Sequence, residues 1–422
     1  MDAMEPAISP QSVSGAFRQT LLWLTKAAAA VAIVGLALVA ILLLFMWREH
    51  KTAIALPIPT GHFAIGRTTY AWTNEAATDD LALYRGSKRQ VLVWVWYPAI
   101  RSNPDAPAEY LPGQWRAALA KRQGVFMRSF FKRDPALVHA HSVPDAMVSP
   151  EQRTYPVVLL RAGGSALTTD FTTLAEDLAS HGFFVVGFDA PYRSFVVVLP
   201  DGRVVARSPA ANVENANGNL ADPVVGKLLA MWTSDTTFVV DQLQRLNDDS
   251  SEKLAGRMDF ERLGMFGHSF GGATALEFCH QDSRCKAAVD IDGIPFGRVV
   301  PEGLGKPGMF LLSDHSREMA DRESHQVLAD IQSIYDRLPD PRLYVVIRRA
   351  NHFSFSDQIL LNSQAAFGLL RLVGIGGLDG RRGLAISADY VHEFFEVHLN
   401  GAPAASLTTL TSKYPEVHID GR

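Results

Sequence analysis

The heptapeptide FGHSFGG, Phe266–Gly272, sets one serine between glycines where an apolar run, Leu263–Phe266, gives way to a segment rich in alanine and leucine. The run reads as a strand and the segment from Gly272 as a helix, so Ser269 falls on the turn that joins them. The same rhythm extends outward in both directions. Short apolar runs at Val157–Leu160, Phe183–Phe188, Lys286–Ile291, Met309–Leu312 and Leu343–Ile347 alternate with helix-length segments at Thr172–Ser180, Thr236–Leu246, Gly272–Cys279 and Arg322–Tyr335. Strands apolar on both faces and separated by helices predict an α/β fold with a mostly parallel central sheet flanked by helices. QVLVWVWYP, Gln90–Pro98, adds β-type alternation ahead of it.

In that setting G-x-S-x-G at Gly267–Gly271 has the form of the nucleophile elbow of α/β hydrolases, in which a strained strand-to-helix turn exposes the serine oxygen. A serine hydroxyl is a poor nucleophile at neutral pH, so it requires a base, and the base an acid to orient it. On this scaffold both follow the serine in the chain, acid first. The histidines at or just after the elbow are His268, His280, His315, His325 and His352. His352, in RRANHFSFSD (Arg348–Asp357), lies on the loop after the last strand and is the expected base. His268 adjoins the serine but is expected to point away from its hydroxyl and to pack. Asp290 and Asp292 end the strand after the elbow helix and Asp314 ends the next; spacing alone leaves the acid open among them. The oxyanion hole needs two backbone N–H donors, one from Phe270 and one from the loop LRAGGSA, Leu160–Ala166.

At the N-terminus, Ala27–Trp47 runs without a charge or a proline. As a helix it would extend roughly 30 Å, enough to cross the hydrocarbon core of a bilayer. Trp23 and Trp47 stand at interfacial positions, and Lys26, Arg48 and Lys51 flank the run. It is longer than the apolar core of a cleaved leader, and the small-residue pattern Ala53-Ile54-Ala55 lies beyond the charged cluster, so an uncleaved single-pass anchor is expected, with the bulk of the chain extracytoplasmic. The formal net charge of −4, with scattered basic residues, leaves no footprint for nucleic acid. Cys279 and Cys285 fit no zinc motif; they read as a short disulfide or as two buried thiols. FVVVLPDGRVVARSP, Phe195–Pro209, reads as a hairpin within an insertion at 190–234, either overhanging the serine or decorating the surface. The expected organisation is a tail at 1–26, an anchor at 27–47, a hydrolase domain at 52–402 and a second tail at 403–422.

GHSFGG, the aspartate of DIDGIPFG and the histidine of NHFSFSD together resemble the platelet-activating factor acetylhydrolase family of the secreted, calcium-independent type. The likeness extends to LPIPTGHFAIG (Leu56–Gly66), VWYPA (Val95–Ala99), DLASHGFFVVGFD (Asp177–Asp189) and YVHEFFEVHL (Tyr390–Leu399). It implies Asp292 as the acid, with Asp314 the runner-up, and a triad of Ser269, Asp292 and His352. It places the second oxyanion donor at Gly164, in a loop where Ala162-Gly163 replaces the family's usual His-Gly. The implied activity is carboxylic ester hydrolysis through an acyl-enzyme, without a metal or organic cofactor, on a small-molecule or lipid ester such as a short-acyl or oxidised phospholipid. Polyesterase, amidase and dienelactone-type chemistry share the scaffold, and a noncatalytic membrane-anchored binding protein is the remaining alternative. Oligomeric state is not written in these residues.

Overall fold

The computed structural model describes residues 10–101, 108–164, 166–212, 223–314, 322–365, 368 and 377–419. Ten strands form the main sheet: β1 (Ala64–Thr78), β2 (Lys88–Ala99), β3 (Val143–Pro144), β4 (Tyr155–Arg161), β5 (Phe184–Asp189), β6 (Met258–His268), β7 (Cys285–Ile291), β8 (Gly308–Ser313), β9 (Leu343–Ile347) and β10 (Val417–Ile419). Their spatial order is β10-β9-β8-β7-β6-β4-β5-β2-β1-β3. From β9 to β5 every neighbouring pair is parallel, while β2 joins β5 and β10 joins β9 in antiparallel fashion. The apolar runs therefore come out as the parallel centre. Because β10 belongs to the sheet, the domain extends beyond residue 402, into the stretch where a tail is expected from sequence.

Alternating residues of the central strands feed two cores. Val158 and Leu160 of β4, with Phe266 of β6 and Val289 of β7, meet Leu174 and Leu178 of α3 (Thr172–Ser180) and Phe394 and Phe395 on the long C-terminal helix Gly380–Asn400. Val157 and Leu159, with Met265 and Ala288, meet Val239 and Leu243 of α4 (Pro223–Asp248) and Leu276 and Phe278 of α5 (Phe270–Gln281). Burial on both faces explains why these strands show continuous apolar runs in the sequence instead of alternation.

The N-terminal helix α1, Pro10–His50, is long and apolar enough from Phe17 to His50 to cross a membrane, by length and composition; a membrane anchor and a signal sequence both have this form. Most of its described side chains point to solvent, whereas its last turn is part of the domain. Met46 and His50 are buried. The Asp134 N–H donates to the His50 carbonyl at 3.1 Å, Arg133 Nη1 donates to the Glu49 carbonyl at 3.1 Å, and the Ala365 N–H donates to Glu49 Oε2 at 3.0 Å.

Between β5 and α4 the predicted hairpin is present, Val196–Val198 paired with Val204–Ala206. It is not surface decoration, because Val196, Val197, Val198 and Leu199 are buried in the core, with the strand packed against α2 (Gly113–Gln123). Cys279 at the end of α5 and Cys285 at the start of β7 are buried and joined as a disulfide, with their Cα atoms 5.0 Å apart.

Candidate active site

Ser269 sits between β6 and α5 with φ 57° and ψ −128°, a conformation that L residues rarely adopt and that persists only where neighbours enforce it. Its N–H donates to the Ile291 carbonyl at 2.9 Å, and its own carbonyl accepts from Gly272 N at 2.8 Å and Ala273 N at 3.2 Å. Two glycines make the turn possible by close approach. A Cβ on Gly267 would lie 2.0 Å from the Gly271 carbonyl oxygen, and one on Gly271 would lie 2.1 Å from that of Arg161. The strand end and the first helical turn thus meet backbone to backbone, leaving Ser269 half-buried at the C-terminal edge of the sheet.

The strand beside β6 delivers Asp292. It follows Ile291, the residue that accepts the Ser269 N–H, and its own N–H donates to the Leu311 carbonyl at 2.9 Å. Its carboxylate is buried and accepts hydrogen bonds from two described residues: the Ser313 N–H reaches Oδ1 at 2.7 Å, the Ser313 hydroxyl reaches Oδ2 at 3.0 Å, and His352 Nδ1 reaches Oδ2 at 2.8 Å. With its Nδ1 proton engaged, the His352 ring keeps Nε2 available as a proton acceptor. The ring is 40% exposed while the carboxylate is sealed, so the imidazole faces the elbow side and the carboxylate lies behind it.

His268 has a second task. Its ring is buried, and the low-dielectric surroundings together with the neighbouring His352 pull its pKa down to about 3, leaving it neutral. Its Nε2–H donates to the His352 carbonyl at 2.7 Å, and the two rings lie 4.4 Å apart. Beside packing, His268 thus makes a hydrogen bond to the loop that carries His352. The same loop is closed by the Asn351 N–H donating to Ser354 Oγ at 2.9 Å and tied to the residues ahead of α3 by the Asp357 N–H donating to the Asp170 carbonyl at 2.7 Å.

The other acids separate by position. Asp290 is fully buried; burial first, and then the charge of Asp292, raise its pKa well above the ordinary carboxylate value, and its Oδ1 accepts the Gly293 N–H at 2.9 Å. Asp314 accepts the Arg349 N–H at 3.3 Å at the start of the His352 loop, while the His352 ring turns to Asp292. His280 donates to the Gly303 carbonyl at 2.8 Å at the far end of α5, and His325 lies on the helix Arg322–Asp336. His315 lies outside the described residues.

Phe270 opens α5, where first-turn N–H groups have no intrahelical acceptor. Gly163 is pressed against the serine: a Cβ there would lie 3.0 Å from Ser269 Cβ. Gly164 follows it, and among the described residues neither the Gly164 nor the Phe270 N–H donates to a protein acceptor. Beneath them Arg161 is fully buried, with its guanidinium 4.3 Å from the Phe188 ring centre and 4.0 Å from that of Trp232, whose edge meets Phe270. Ser313, Arg161 and the hydrogen-bonding role of His268 carry no signal in the linear sequence, since each is defined by what another strand or loop sets beside it. Among the described residues no group of three or more His, Cys, Asp or Glu could hold a metal ion.

Comparison with known proteins agrees with this architecture. Residues 237–402 match the family model described as platelet-activating factor acetylhydrolase, isoform II. A probable 1-alkyl-2-acetylglycerophosphocholine esterase of Arthroderma benhamiae is 26% identical over 279 residues, 62% of this chain and 65% of that protein. The platelet-activating factor acetylhydrolase of Cavia porcellus is 21% identical over 239 residues, 52% of each chain. The match thus spans between about half and two thirds of the length of these curated relatives. Among solved structures, a ferulic acid esterase from Streptomyces cinnamoneus superposes with a TM-score of 0.70 at 25% identity, covering 88% of this chain and all of that one. Elbow, sheet order and structural neighbour thus agree on an α/β-hydrolase fold, and residues 237–402 of the chain are similar to the platelet-activating factor acetylhydrolase isoform II family.

Proposed function

We propose that this protein is a membrane-anchored serine carboxylic ester hydrolase whose triad is Ser269, His352 and Asp292. The observation that carries the reading is the 2.8 Å bond from His352 Nδ1 to Asp292, made where the strand beside the Ser269 elbow ends. In the proposed cycle His352 Nε2 takes the hydroxyl proton as Ser269 Oγ bonds to the ester carbonyl carbon. The Gly164 and Phe270 N–H groups stabilise the resulting oxyanion. His352 then passes the proton to the departing alkoxide as the C–O bond breaks, and water repeats the sequence on the acyl-enzyme. Asp292 holds the imidazole tautomer and stabilises the transient imidazolium.

The relatives named for 1-alkyl-2-acetylglycerophosphocholine and platelet-activating factor support a phospholipid carrying a short acyl group; the ferulic acid esterase neighbour supports a phenolic ester as the second reading. A substrate panel decides between them. The purified full chain in detergent is expected to hydrolyse p-nitrophenyl acetate and 1-alkyl-2-acetylglycerophosphocholine and to prefer the acetyl over the long-acyl phospholipid. Preference for methyl ferulate would move the assignment to the second reading, and no turnover of any ester would end it.

The docked last turn of α1 supports an anchor over a cleaved leader, because removal of the helix would strip Met46, Glu49 and His50 from their partners in the domain. The disulfide supports an oxidising, extracytoplasmic location for the domain. Expressed in its host, the protein should stay in the membrane pellet after carbonate extraction and retain its N-terminal peptides by mass spectrometry. A soluble product beginning after residue 50 would refute the anchor.

A further inference from the structure

The loop expected to supply the second oxyanion donor contains adjacent glycines, Gly163 and Gly164, and glycine pairs have wide backbone freedom. An oxyanion donor needs the reverse, since its contribution depends on being aimed before the charge develops. Two hydrogen bonds remove the freedom. The Gly163 carbonyl accepts the Ala166 N–H at 3.2 Å. In a trans peptide the Gly164 N–H lies opposite that carbonyl, so the bond fixes the direction in which the donor points. The next peptide plane is held from outside the loop: Arg207 Nη1 donates to the Gly164 carbonyl at 2.9 Å.

Arg207 is well placed to hold it. It follows the second hairpin strand, and its own N–H donates to the Phe195 carbonyl at 3.3 Å, while the Ser208 N–H donates to the Tyr192 carbonyl at 2.9 Å. The partner strand, Val196–Val198, is buried in the main core, and the Arg122 guanidinium covers the Phe195 ring at 4.6 Å. The arginine thus projects from a strand pair packed into the core onto the glycine pair of the loop. A charged donor to a carbonyl is also stronger than a neutral one.

We propose that Arg207 is a positioning residue for the oxyanion hole, and that the hairpin 195–207 is in this way part of the catalytic apparatus. The proposal rests on the serine-esterase reading and extends it to a residue outside the triad. It implies that the departure from the His-Gly pattern at Ala162-Gly163 is accompanied by an external clamp.

Steady-state kinetics with p-nitrophenyl acetate test it on the full chain in detergent, with active-site concentration titrated by a fluorophosphonate. Arg207→Ala is expected to lower kcat about 10- to 100-fold and to leave KM within about twofold of wild type. It should weaken inhibition by a short alkyl boronic acid, which forms a tetrahedral adduct on the serine, by a similar factor. Arg207→Lys, which keeps a charged donor, is expected to recover most of the loss. If Arg207→Ala fails to fold, the comparison of Arg207→Lys with Arg207→Gln reads the same trend. Unchanged kcat and boronate affinity per titrated site would overturn the proposal while leaving the esterase reading intact. Wild-type protein that neither turns over the ester nor takes the fluorophosphonate would remove the premise, and the proposal with it.

Discussion

Ser269→Ala is expected to lower turnover of p-nitrophenyl acetate by about 10⁵- to 10⁶-fold and to abolish labelling by a fluorophosphonate. The variant deletes one oxygen from a half-buried side chain and leaves untouched the backbone bonds that hold the elbow, to the Ile291 carbonyl and from the Gly272 and Ala273 N–H groups. Alanine inherits the same positive φ as serine, so the thermal midpoint should stay close to wild type. Any remaining rate would come from the oxyanion donors acting on bound ester with water as nucleophile. Initial rates together with intact-protein mass after probe treatment measure both halves of the expectation. A variant that keeps more than about one tenth of the activity, or still takes the label elsewhere, would show that Ser269 is not the nucleophile.

Asp292→Asn should cost about 10³- to 10⁴-fold in kcat, whereas Asp290→Asn, two residues earlier, should change it by less than about threefold. The two carboxyl groups belong to one strand end but do different things. Asp292 Oδ2 receives the His352 Nδ1 proton, and an amide there either offers a second donor to that nitrogen or stabilises the wrong tautomer. Burial and the charge of Asp292 raise the Asp290 pKa and so favour its neutral form, which an amide of the same shape, still accepting the Gly293 N–H, resembles. The sign on stability follows from the same facts. A carboxyl whose folded pKa is raised contributes most below the ordinary carboxylate range, and that contribution is lost as pH rises through the raised value. Thermal midpoints across pH 5 to 10 should therefore fall less steeply in Asp290→Asn than in wild type. A strong activity loss in Asp290→Asn with an active Asp292→Asn would reverse the assignment of the acid.

Much of this was legible in the chain because it is local. The elbow needs Gly267 and Gly271 where two backbones nearly touch, and a strand and helix on either side, all within about twenty residues. The six apolar runs show themselves because burial on both faces leaves few polar residues in them. His352 could be singled out because a base must follow the last strand on this scaffold. The carboxylate beside it could not, because Asp290, Asp292 and Asp314 all occupy strand ends; alternation along β7 turns the first into the interior, and the turn after Ile291 brings the second to the imidazole.

Sequence by itself determined the α/β alternation, the strand-to-helix serine, the apolar N-terminal helix and the hairpin, because each follows from the periodicity or composition of contiguous residues. Tertiary structure alone decided that β10 completes the sheet, that Ser313 and His268 hydrogen-bond Asp292 and the His352 loop, and that Arg207 reaches the Gly164 carbonyl across more than forty residues. The physical reason is that a hydrogen bond between distant segments depends on where the sheet and its cores set two backbones, and no local pattern in either segment encodes that distance.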